Sequence, residues 1–154
     1  MTGPAERLAA LGLTLPPVAA PVAAYVPAVR TGTFVYTSGQ LPTVDGKLPA
    51  VGKVGSAVSA SDAAEMARTC ALNALAAAAS AAGGLEAIRR IVKVTGFVAS
   101  APGFSGQPQV INGASELLIE VFGEDGKHAR SAVGVAELPL DAPVEVELIA
   151  EVRD

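Results

Sequence analysis

Two charged side chains stand where a strand has little use for them. The last quarter of the chain runs Ala129-Arg130-Ser131-Ala132-Val133-Gly134-Val135-Ala136-Glu137-Leu138-Pro139, then, past Leu140-Asp141-Ala142-Pro143, Val144-Glu145-Val146-Glu147-Leu148-Ile149-Ala150. Each half is apolar or alternating and rich in β-branched residues, and the proline-bounded break between them reads as a turn between two strands. Arg130 opens the first strand among small neighbours, and Glu145 interrupts the valines of the second. A guanidinium offers a planar fork that grips a carboxylate through two hydrogen bonds, and a carboxylate can take a proton from water. The same pattern fits two charges that simply point into solvent, so strand periodicity leaves both readings open. Glu147, two residues on, shares a face with Glu145.

The elements that must position these residues can be read in order. Pro4 to Leu11 suits a short helix, and Pro16, Pro17 and Pro21 suit an extended lead-in over residues 1–24. Tyr25–Val29 and Thr33–Ser38 read as strands joined by Arg30-Thr31-Gly32. Gly39 follows at once, where a missing side chain lets the backbone come close to another group; on the local pattern alone an ordinary strand exit is the better reading. A polar loop over 43–58 ends at Ser59, whose spacing to Asp62 marks a capping box. The helix it opens runs to Ala82 and stops at Gly83-Gly84, with Glu65 and Arg68 on its wet side and an alanine side suited to close packing. Ile88–Ala99 is a nearly continuous apolar strand. A second helix over Pro108–Phe122 carries the stripe Val110, Ile111, Leu117, Leu118 and Val121, with Asn112 in its first turns. Strands with two helices segregated to one side predict a single α+β domain over 1–154. The uncovered sheet face, read as Val35, Val133 and Val144 or their alternates, then calls for an oligomer.

Composition excludes several classes of function. The 154 residues are 51% hydrophobic, ample for one core. Much of that is alanine, and the most apolar run, Ala74–Ala79, is far short of the ~20 residues of a membrane span. No signal-peptide layout opens the chain, and a single cysteine, Cys70, excludes an internal disulfide and suits a reducing cytoplasm. Cys70 reads as a small buried hydrophobe. A net charge of −4 argues against nucleic acid as a partner. His128 is the one imidazole, so a multi-histidine metal site within one chain is ruled out. A serine triad would need His128, and no Gly-x-Ser-x-Gly elbow is present.

The string Ala129–Pro139 followed by Val144–Ala150 resembles the C-terminal signature of the Rid family (YjgF, liver perchloric-acid-soluble protein). Tyr25-Val26, Tyr36-Thr37-Ser38-Gly39-Gln40-Leu41-Pro42, Asn73 and Asn112 extend the resemblance over about residues 20–152, in the right order. It implies a chorismate-mutase-like α+β fold assembled as homotrimers, with ligand sites in the clefts between subunits. The implied activity is hydrolysis of reactive enamines and imines, such as 2-aminoacrylate and 2-iminobutyrate, to 2-keto acids and ammonia, with no cofactor. Arg130 matches the arginine that holds the substrate carboxylate and Glu145 the glutamate that handles water. Tyr25 matches a tyrosine closing the cleft. Ser38, Gly39, Asn112 and Ala132 match positions that line it, Gly39 and Ala132 through backbone groups.

The chain departs from the commonest family pattern in its extra residues before Tyr25, in the 43–58 loop and around Pro102–Pro108. His128-Ala129 leads into the arginine, and Ala132 stands where many members have cysteine. These differences indicate a divergent, longer branch. His128 is expected as an exposed loop residue, with a place in the cleft as the other option. If the last two strands paired as a hairpin, Arg130 and Glu145 would lie about six residues apart along the axis. That is roughly 20 Å, which places their meeting between subunits. Two rival functions remain: a non-catalytic trimer that binds a small carboxylate metabolite, and the endoribonuclease activity of the family's older name.

Overall fold

A computed structural model of the chain describes residues 2–21 and 23–154. The elements are α1 (Pro4–Ala10), β1 (Ala28–Thr31), β2 (Phe34–Thr37), α2 (Ala60–Ala82), β3 (Ile88–Ala99), α3 (Gln107–Phe122), β4 (Ala129–Val135) and β5 (Val144–Val152). Five strands form one mixed sheet in the order β1-β2-β5-β3-β4, with β4 parallel to β3 and the other pairs antiparallel. This is the expected α+β architecture, with α2 and α3 on one face.

The helices begin and end for local reasons. Ser59 caps α2 by accepting the Asp62 N–H at 3.1 Å, and Gly83 closes it in the left-handed region, at φ 95°. The inner side of α2 is nearly all alanine, with Ala63, Ala67, Ala71, Ala74 and Ala78 fully buried. It therefore lies low over the sheet. Gly113 of α3 faces the backbone of Ala64 so closely that a Cβ would collide with the Ala64 carbonyl, and this lets the two helices touch. Leu75, Ile91, Val94, Ile111, Leu117 and Leu148 fill the space between helices and sheet. Cys70 is buried with them, as expected, and burial first, then the Glu145 charge, raises its pKa well above the ordinary thiol value.

Several boundaries shift from the sequence reading. β1 begins at Ala28, not Tyr25, and Tyr25 lies in a bend before it. Pro27 has no N–H to give a ladder; its carbonyl accepts the Ser38 N–H at 2.8 Å. Arg30 and Thr31 belong to the strand, and the turn is Gly32-Thr33, with Gly32 at φ 60°. The 43–58 loop is less polar in its role than in its composition, because Val54 and Val58 are buried in the core. Asn73, part of the family resemblance, pins the preceding segment by donating to Leu41 O at 2.9 Å and Thr43 O at 3.0 Å.

The largest correction concerns the last two strands. β4 and β5 are not a hairpin: β3 lies between them. A strand, a helix and a second strand in succession (β3-α3-β4) make a crossover unit, and a crossover of that length delivers its second strand parallel to the first. The chain then passes over β3 through a tight turn at Pro139–Asp141, with Leu140 and Asp141 at φ 59° and 58°. Val35 and Val144, expected on the uncovered face, are buried on the helix side. Their alternates take the open face: Val29, Phe34 and Tyr36 are exposed there, together with Val133. Among the described residues, no helix is long and apolar enough to cross a membrane.

Candidate active site

Arg130 sits on the edge strand, level with Val94 of β3, and Ala132 is level with Gly96. Val94 is buried under the helices, so Arg130 and Ala132 face that way too. Gly96 has no side chain because the Ile111 side chain occupies the space a Cβ would need. With Gly96 and Ala132 this small, α3 comes down onto the sheet edge and brings Asn112 and Ser115 to the guanidinium. Arg130 Nη1 donates to Asn112 Oδ1 at 2.8 Å and to Ser115 Oγ at 3.2 Å, while Nη2 donates to Pro108 O at 3.4 Å. Of the five guanidinium N–H donors, these bonds use three; Nε–H and one Nη2–H remain. All three acceptors are neutral. Among the described residues no ion pair involves Arg130.

The network continues one step further. Ser115 Oγ lies 2.9 Å from His128 Nε2, and His128 Nδ1 lies 2.6 Å from Gly126 O. A carbonyl only accepts, so Nδ1 carries a proton, and in the neutral ring Nε2 is left to accept from the serine hydroxyl. His128 is thus half-buried and doubly bonded, not the exposed loop residue expected. Burial lowers its pKa from the ordinary value; the Gly126 carbonyl opposes that, and the Arg130 charge adds to it. Ser115 was missed in sequence because a helical serine among apolar neighbours reads as filler. Its place one turn after Asn112 was the available signal.

Glu145 lies in the other direction. It alternates with buried Val144 and Val146 and stands opposite Phe97, on the open face of the sheet. Glu147 follows it on the same face, as expected. The Glu145 carboxylate presses against Gly39, with its Cδ 2.7 Å from where a Gly39 Cβ would stand. Gly39 is therefore glycine for space, and the close approach holds over the ordinary strand exit that the local pattern favours. Burial, then repulsion from Glu147, raises the Glu145 pKa above the ordinary carboxylate value. Ser38 donates its hydroxyl to Val26 O at 2.6 Å, tying down the bend that carries exposed Tyr25.

The candidate residues thus form two groups. Arg130, Asn112 and Ala132 gather at the β4 edge on the helix side; Glu145 and Gly39 meet on the open face, with Ser38 next to Gly39 in the chain and bonded to Val26 beside Tyr25. Arg130 is level with Val94 and Glu145 with Phe97, a separation of three residues along β3, or roughly 10 Å. The hairpin estimate of 20 Å falls with the hairpin. Opposite faces of one sheet replace it as the barrier between the two groups.

A family model described as YjgF/chorismate mutase-like, putative endoribonuclease, matches residues 5–152. The chain belongs to this family. Protein TCP17 of Trypanosoma cruzi is 42% identical over 151 residues, covering 97% of this chain and 94% of its own. The crystal structure of Atu1372 from Agrobacterium tumefaciens, a protein described as of unknown function, is 47% identical over 97% of this chain and 92% of its own, with a TM-score of 0.90. TdcF of E. coli, solved with bound serine, is 32% identical over 91% of this chain and 94% of its own, with a TM-score of 0.62. The chain therefore follows Atu1372 more closely than TdcF, in keeping with a longer branch of the YjgF family.

Proposed function

We propose that this YjgF-family protein hydrolyses small enamines and imines of the 2-aminoacrylate and 2-iminobutyrate type to 2-keto acids and ammonia, in clefts between the protomers of a homotrimer. The observation that carries this reading is Arg130: a fixed guanidinium, held by three neutral oxygens, with Nε–H and one Nη2–H left for a carboxylate. The serine bound to the relative TdcF has such a carboxylate. An imine held there needs one water. Glu145, its basicity increased by burial and Glu147, takes a proton as the water oxygen bonds to the imine carbon. Glu145 passes that proton to the nitrogen, giving the carbinolamine; it then carries the carbinolamine O–H proton to the nitrogen as C=O forms and the C–N bond breaks, releasing the keto acid and ammonia. No step calls for a cofactor. Tyr25 closes the cleft, while Gly39 and Ala132 offer backbone groups to the substrate. A single buried thiol suits the cytoplasm.

The two groups of residues lie on opposite faces of one sheet, so one small substrate meets both only when a second protomer supplies the other half. Exposed Val29, Phe34, Tyr36 and Val133 supply the apolar surface for that assembly. Mixing tests this directly. Arg130→Ala and Glu145→Gln protomers, each inactive alone, are unfolded, combined in equal amounts and refolded, and keto-acid release from 2-iminobutyrate is measured. Sites shared between protomers return roughly a quarter of wild-type activity, since one neighbour pairing in four is intact. No recovery in mixed assemblies would place the whole site in one chain and refute the shared cleft. A carboxylate-binding protein without catalysis is the second reading, because the Arg130 network is complete without Glu145; it is separated by whether keto acid is released at all. Endoribonuclease activity is disfavoured by a net charge of −4.

A further inference from the structure

We infer that His128 and Ser115 are positioning residues that aim Arg130 at its carboxylate through a one-way chain of hydrogen bonds. The inference rests on the proposed carboxylate-binding role of Arg130 and names what sets its orientation.

With the His128 ring neutral, each link has only one direction available. Gly126 O accepts, which fixes the proton on His128 Nδ1 at 2.6 Å. Neutral His128 then presents a bare Nε2, which takes the Ser115 hydroxyl proton across 2.9 Å. With its proton so directed, Ser115 Oγ turns a lone pair to Arg130 Nη1 at 3.2 Å. Asn112 Oδ1 takes the other Nη1 proton at 2.8 Å. Nη1 is thereby saturated from two sides, and the guanidinium plane has one orientation. Nε–H and one Nη2–H remain unused, and Nε and Nη2 flank one edge of the guanidinium, where a bidentate carboxylate docks. Removing the imidazole frees the hydroxyl to rotate and donate elsewhere, and the fork loses one of the two supports of Nη1.

The setting favours the neutral ring. Charged groups around His128 are Arg130 on β4, which shares the Ser115 hydroxyl with it, and Lys127 beside it in the chain, Arg90 on β3 and Glu151 on β5, which line one shallow cavity with it. Lys127 pairs with Glu124 at 2.8 Å, and Glu151 with Arg89 at 3.3 Å. Arg90 and Arg130 therefore oppose a second positive charge on the ring.

The test combines a spectroscopic signature with affinity. Nitrogen NMR of the labelled protein at pH 7 should show His128 as the neutral tautomer protonated on Nδ1; the other tautomer, or the imidazolium, overturns the chain. Calorimetry with 2-ketobutyrate at pH 8 then compares variants of the full-length protein. Ser115→Ala and His128→Leu should each weaken binding about three- to tenfold, the worth of one hydrogen bond. Glutamine keeps an acceptor near the Nε2 position, so His128→Gln should stay within about twofold of wild type. Thermal melts confirm folding, and if His128→Leu fails to fold, Ser115→Ala and His128→Gln carry the comparison. Should Ser115→Ala bind like wild type while Arg130→Ala does not, the positioning chain is wrong and the carboxylate site survives. Should Arg130→Ala itself bind like wild type, the underlying reading falls as well.

Discussion

The two faces of the sheet treat charge in opposite ways. On the helix side, Arg130 is enclosed by acceptors delivered from α3, and its network runs through Ser115 to the backbone beyond His128. On the open side, no side-chain hydrogen bond among the described residues satisfies the Glu145 carboxylate, and Glu147 repels it from the same strand. The first arrangement is complete within one chain. The second is held in a poorly solvated position by Gly39 and its strand neighbours and lacks a compensating donor. Stability has been spent on one face to fix a direction, and on the other to keep a carboxylate basic. This division predicts separate failures when each face is altered.

The largest effect belongs to Arg130. Two charge-assisted hydrogen bonds are worth about 1.5–3 kcal/mol each, so Arg130→Ala should weaken 2-ketobutyrate binding by at least about 100-fold. Lysine keeps the charge without the fork, and Arg130→Lys should fall between. With no protein carboxylate as partner, the loss should leave the melting temperature nearly unchanged. A large drop in melting temperature with unaltered affinity would show that the arginine serves the fold.

Glu145→Gln should behave in reverse: turnover falls about 10²-fold or more, and 2-ketobutyrate binding stays within about twofold. Stability should rise. Because the folded-state pKa is raised above its unfolded value, ionising Glu145 costs stability as pH climbs from the ordinary carboxylate range through the raised pKa. Glutamine removes that cost, so the variant should outlast wild type at neutral pH and converge with it in acid. Melting curves from pH 4 to 8 (about this range brackets ordinary carboxylate titration) would detect a constant offset, which would disprove the linkage. If Glu147→Gln lost turnover while Glu145→Gln kept it, the roles of the two carboxylates would be exchanged.

How legible all this was in the sequence depended on the range of the interaction involved. The Ser59 cap, the Gly83 stop and the β3 boundaries are set by neighbours a few residues away, and they were read correctly. The apolar stripe of α3 was read correctly as well, but Asn112 entered only through the family resemblance, because a helical asparagine reads as a surface residue. The β4 partner was lost because alternation reveals a strand and its faces without naming its neighbour; the helix between β3 and β4 was the cue to a parallel crossover. The Arg130–Ser115–His128 chain joins a helix, a turn and a strand, and no local spacing encodes it. Gly39 reads locally as a strand exit, and its role as a close approach emerges only when β5 brings Glu145 beside it.

The helix face should be more sensitive to volume. Gly96→Ala drives a Cβ into the Ile111 side chain, and overpacking of a tight core costs typically 1–3 kcal/mol. Lifting α3 also withdraws Asn112 and Ser115 from Arg130, so affinity for 2-ketobutyrate should fall together with stability. Chemical denaturation and calorimetry on the same sample check both. If affinity holds while stability drops, Arg130 is oriented from β4 alone.

Gly39→Ala is the matching change on the open face, and its effect should be the smallest and the most selective. The added Cβ meets the carboxylate end of Glu145, its Cδ 2.7 Å away. That is the far end of a flexible side chain, able to swing aside, where Ile111 is wedged between helix and strand. Gly39 does not adopt a positive φ, so alanine fits its backbone without strain. Stability should therefore change by less than about 1 kcal/mol, within the ordinary range for a surface change. Glu145, displaced by an ångström or so, would meet the water at the wrong distance. Misplacement of that size can cost as much as 10²-fold, and with partial relaxation roughly tenfold is expected, in kcat, with 2-ketobutyrate affinity preserved. A variant that is fully active yet destabilised would mean that Gly39 serves the packing of β2 on β5. The open face would then have lost its claim to the chemistry, and Arg130 would remain as the centre of a site that only binds.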